Sequence, residues 1–155
     1  MQRLSIPFLA CALLALALLG AGCGESGVSA GATVTVYAAT PLCKGAEGEL
    51  AREGARAGEV RVRITCLPPV ERHGRVDLAT AGANARQGTE DSTTIAYLEA
   101  PGPAAKFSQP ILESANITWV STSSGAAATH SILKALEDRG SSSPRDAVRE
   151  SLNGS

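Results

Sequence analysis

Four runs rich in valine, isoleucine and threonine recur along the chain, at residues 33–38, 60–66, 93–98 and 117–121. Helix-forming segments separate them, and this alternation with short links specifies an α/β fold, a parallel sheet with helices on both faces. Residues 60–66 (VRVRITC) alternate apolar side chains with Arg61, Arg63 and Thr65, the pattern of an edge strand. Residues 93–98 are nearly all apolar from Ile95 onward and read as a central strand. Helices are expected at 45–57, diluted by glycine, and at 77–87, with Leu78, Ala81 and Ala85 on one stripe. Another opens at Pro103 and carries Phe107, Ile111, Leu112 and Ala115 at helical spacing, with a kink expected at Pro110. Residues 126–138 bury Ile132, Leu133 and Leu136, and a last helix follows Ser143-Pro144 over 145–152. Right-handed crossovers order about four strands 2-1-3-4, with a topological switch point between the first and third.

The first 22 residues are of a different kind. Arg3 precedes an apolar run over residues 4–19, short for a membrane span, and Gly20-Ala21-Gly22-Cys23 follows. The placement of Cys23 resembles a bacterial lipoprotein signal, although Gly20 stands where such signals usually carry a branched residue. The resemblance implies cleavage before Cys23, acylation of its thiol and a lipid anchor on the extracytoplasmic face of the cell envelope. Plain secretion and an uncleaved anchor are the alternatives. On this reading residues 1–22 are the signal, 23–32 a small polar tether and 33–155 one α/β domain, long enough to bury a core. Cys11 leaves with the signal and Cys23 carries lipid, so Cys43 and Cys66 remain in an oxidising compartment. They form a disulfide or stay as two buried thiols. If the second strand lies beside the first, both cysteines reach the same end of the sheet.

The chain has 155 residues, a formal net charge of −1 and 3% aromatic residues. With no basic block and no stacking platform, nucleic acid is not an expected partner. No phosphate-binding glycine loop, HExxH or GxSxG elbow occurs, and neither cysteine has a second ligand at metal spacing. No metal, no cofactor and no enzymatic activity are therefore expected. His130, a turn or two beyond the fourth strand, and His73, in a polar glycine-flanked loop, read as surface histidines. The exit of the fourth strand is more informative. Ser121-Thr122-Ser123-Ser124-Gly125 presents four hydroxyls before a helix start, a place that suits either a helix cap or a small carboxylate.

Around these residues the chain resembles the type I periplasmic binding proteins, the extracellular receptors of branched-chain amino acid ABC transporters. The resemblance rests on Asp91-Ser92-Thr93-Thr94-Ile95-Ala96-Tyr97, on Ser108-Gln109-Pro110-Ile111 followed by Glu113-Ser114-Ala115-Asn116-Ile117, and on Val120-Ser121. Thr35-Val36-Tyr37 with Pro41-Leu42, and the helices around Leu133–Leu136 and 145–152, are similar to the family's opening and closing elements. The resemblance implies one lobe of a normally two-lobed fold, with Thr122, Ser123 and Ser124 as ligand-binding residues for an amino-acid-like solute. A loop serine used by the family after its third strand is replaced here, its place falling at Pro103. An ABC permease or a full-length binding protein is the implied partner. The competing expectation is an envelope interaction or structural lipoprotein with no small-molecule ligand.

Overall fold

The computed structural model describes residues 31–153. The signal at 1–22, Cys23 and nearly all of the tether at 23–32 lie outside the described residues. Strand β1 (Thr33–Ala38) leads into helix α1 (Thr40–Arg52). After it come β2 (Arg56–Ala57), β3 (Val60–Cys66), a small hairpin of β4 (Glu71–Arg72) and β5 (Arg75–Val76), and α2 (Leu78–Glu90). Then β6 (Thr94–Glu99), α3 (Pro103–Ser114), β7 (Thr118–Ser121), α4 (Gly125–Glu137) and α5 (Pro144–Asn153) complete the described chain.

The main sheet runs β2-β3-β1-β6-β7. Its four long strands are parallel and follow the order expected from right-handed crossovers. The fifth, β2, is an addition that the sequence reading did not contain. It pairs antiparallel with β3 through Arg56–Arg61 and Ala57–Val60, so the start of β3 is not a bare edge. Helices α1, α4 and α5 pack together on one face, and α2 with α3 on the other. The pleat sorts the side chains. Val34, Val36 and Ala38 join Leu42, Ala46, Ile132, Leu136 and Val148 on the first face. Tyr37 and Tyr97 join Ala85, Leu112 and Ile117 on the second.

Two helices differ from expectation. α1 begins five residues before the expected 45, because Pro41 sits in its first turn, where a missing N–H is tolerated. Cys43 is consequently inside the helix rather than in a preceding loop. The expected stripes hold at Ala81, Ala85 and Leu112, all fully buried, with Ile111 and Ala115 packed beside them, but not at their first members. Leu78 and Phe107 are nearly half exposed, while α2 buries Ala81, Gly82, Asn84, Ala85 and Gly88, and α3 buries Ala104, Ala105, Ser108 and Leu112. Small residues let α2 and α3 lie close, and Phe107 lies over Gly82: a Cβ there would stand 2.9 Å from Phe107 Cε1, so the ring would have to shift. Helix α3 runs through Pro110. Among the described residues no helix is long and apolar enough to cross a membrane.

Candidate functional site

Parallel strands bring their exits to one edge of the sheet. The switch point falls between β1 and β6, whose following helices, α1 and α3, lie on opposite faces. Backbone pairing holds the strand exits together up to this edge: Ala39 N–H donates to the Leu98 carbonyl (2.9 Å) and Thr122 N–H to the Glu99 carbonyl (2.9 Å). The first turns of α1 and α3, after Ala39 and Gly102, receive no side-chain cap. Both first turns contain a proline, and in α1 Leu42 N–H already donates to the Ala39 carbonyl (2.8 Å), so α1 brings to the crevice its positive end and the Thr40 N–H, and α3 its uncapped first turn.

The three residues singled out after the fourth strand stand at this edge with unequal roles. Ser124 caps α4 by accepting from Ala127 N–H (3.2 Å). Thr122 Oγ1 accepts from Ser124 N–H (3.1 Å) and so shapes the turn. Ser123 is exposed, and its hydroxyl has no partner among the described residues. α4 starts hard against α1, because Gly125 and Gly45 carry no side chain: a Cβ on Gly45 would lie 3.2 Å from Ala126 N.

Cys43 and Cys66 stand at disulfide distance, with Cα atoms 5.5 Å apart, joining α1 to the end of β3 beside the crevice. Thr40 Oγ1 donates to the Leu67 carbonyl (2.7 Å) across the same gap.

One buried group escaped the sequence reading. Glu99, the last residue of β6, is 3% exposed. Its Oε2 accepts from the Ser108 hydroxyl and from Trp119 Nε1–H (3.1 Å). No cation pairs with it among the described residues. Burial, and next the charge of Glu99, push the Tyr97 phenol well above its ordinary range. The available signal was strand parity: Tyr97 and Glu99 share a face, and Trp119 pairs beside Tyr97 on the adjacent strand.

Two clusters have metal-ligand residue types. In one, Cys43 and Cys66 are matched to each other, with Glu47 Oε1 3.5 Å from the Cys66 sulfur. In the other, Glu49, Glu53 and His130 converge between α1 and α4, but Glu49 already holds Arg52 and His130 Nδ1 (3.2 Å). His130 is thus tied to a carboxylate rather than free.

The chain matches no family model, no curated protein and no solved structure in these comparisons.

Proposed function

We propose that this chain is a membrane-anchored extracytoplasmic lipoprotein, tethered through Cys23, whose α/β lobe takes a small amino-acid-like solute at the strand exits and serves amino-acid ABC transport. The lobe corresponds to one half of a periplasmic-binding-protein-like fold, and a permease or a full-length binding protein supplies its context. The observation that carries the reading is the pair of uncapped helix starts, α1 and α3, on either side of the β1–β6 switch point. A ligand carboxylate satisfies such N–H groups, and Ser123 contributes a free hydroxyl alongside. An open half-site binds weakly, since part of the ligand remains in water.

The test is a thermal melt of the full chain in neutral detergent against the twenty amino acids. A midpoint raised by one class of amino acid in the parent, and not in Ser123→Ala, supports the reading. A cooperative melt that no amino acid moves defeats it.

A second reading, an envelope interaction lipoprotein, is favoured by one observation. Leu78 and Phe107, both nearly half exposed, lie on the paired helices α2 and α3. Cross-linking in intact envelopes would then return one partner, and a Phe107→Ser change would abolish that product.

A further inference from the structure

We propose that the opposite edge of the sheet holds a second site, for a phosphate-bearing anion. A cavity of about 490 Å³ opens beneath the starts of β6 and β7, against the α4–α5 connection. That volume is within the range of small-ligand sites.

Two guanidiniums on its wall, those of Arg139 and Arg145, are half-buried and hold only neutral oxygens. Arg145 donates through Nε and Nη2 to the Thr94 carbonyl (3.1 and 2.8 Å) and through Nη2 to the Ser92 carbonyl (3.2 Å). Arg139 donates through Nη1 to the Ser142 carbonyl (3.1 Å). These bonds orient both groups without neutralising either. No carboxylate pairs with them among the described residues, and Arg139 keeps Nε and Nη2, and Arg145 keeps Nη1, without a protein partner there.

The one acid on the wall is already engaged. Asp146 accepts from the Ser143 hydroxyl (2.6 Å) and pairs with Arg149, which also holds Asn116 Oδ1. Two oriented positive forks on the wall of one cavity suit a phosphate group, whose charged non-bridging oxygens can accept from both, whether the group is free or carried by an ester.

The source of that phosphate divides in two. β1 also begins at this edge, with Thr33. On the lipid-anchor reading, attachment through Cys23 keeps the domain within reach of anionic phospholipid headgroups. A soluble phosphate needs no such premise.

The experiment is a thermal melt of the full chain in neutral detergent at fixed ionic strength. Inorganic phosphate is compared with chloride, and micelles doped with short-chain phosphatidylglycerol with undoped ones. A ligand at tenfold excess over its dissociation constant raises the midpoint by about 5 °C. The shift must disappear in Arg139→Gln, which loses only a bond to a loop carbonyl and keeps the fold. It must persist in Ser123→Ala, so this site and the amino-acid site fail separately. A shift with inorganic phosphate assigns a soluble anion, and a shift with phosphatidylglycerol alone assigns a headgroup. No shift with either, or an equal shift in Arg139→Gln, overturns the proposal.

Discussion

Gly125 sits so close to Leu42 that a methyl group at its Cα would overlap the Leu42 carbonyl oxygen and stand 3.1 Å from Ala46 N. The beginnings of α4 and α1 are therefore seated on each other by the absence of one side chain. Gly125→Ala must push two backbones apart, since neither obstructing atom belongs to a flexible side chain. The expected loss is about 3 kcal/mol, read as a lower urea midpoint with unchanged m-value.

Reduction of the Cys43–Cys66 pair opens a loop whose ends are 23 residues apart. Chain-entropy reasoning puts the lost stability at about 3 kcal/mol. Urea melts with and without dithiothreitol measure it, and Cys66→Ser must reproduce the reduced value while becoming insensitive to the reductant.

Glu99 accepts from the buried Ser108 hydroxyl, which also reaches the Ala104 carbonyl (3.1 Å), and from the Trp119 indole N–H, which bonds no other acceptor among the described residues. Glu99→Ala leaves a cavity and strands the Trp119 N–H, while Ser108 falls back on the Ala104 carbonyl, with an expected loss of about 2–4 kcal/mol. Glu99→Gln keeps an acceptor oxygen and removes the buried charge, so its effect stays within about 1 kcal/mol. Trp119 is the chain's single tryptophan, so its emission reports the lost bond directly.

Acid should lower the stability of the protein through two carboxyls. Burial opposes charge on Asp91, but hydrogen bonds from Thr93 and Tyr37 and the charge of Arg63 outweigh it and hold the group below 3.8. Asp77 is also lowered, first by the Thr80 backbone N–H and then by the Thr80 hydroxyl, as it caps α2. Groups depressed in the native state stabilise it fully above the ordinary carboxylate range, and that stability drains as pH falls from about 4 through their native values. Asp91→Asn should flatten the acid limb of a midpoint-against-pH curve. An unchanged limb would assign it to other carboxylates.

Strand order was legible because each strand announces itself by β-branched residues, and handedness then leaves little choice. Helix faces were less legible. In α2 and α3 the spacing of Leu78 and Phe107 marks a stripe, yet the helices approach over Gly82, against Phe107, and over Gly88, near Leu112, and a glycine carries no hydropathy signal. The same applies to Gly45, which reads as dilution of a helix and is in fact a clearance for Ala126. At the candidate site, the hydroxyl run at residues 121–124 could be located from sequence. Which of its members are consumed locally, Thr122 by the turn and Ser124 by the cap, depends on backbone angles that composition does not encode.

The two-residue strand β2 has a bearing on what happens when copies of this chain meet. It covers β3 at Val60 and Arg61, and the Val62 amide is spoken for by the Ala55 carbonyl (3.1 Å). A neighbour seeking to extend the sheet there would have to displace β2 and then pass Arg63, leaving too short a track for stable growth. At the far side β7 offers only four residues. A sheet finished this way at both margins resists polymerising edge to edge, which matters for domains concentrated side by side on one surface.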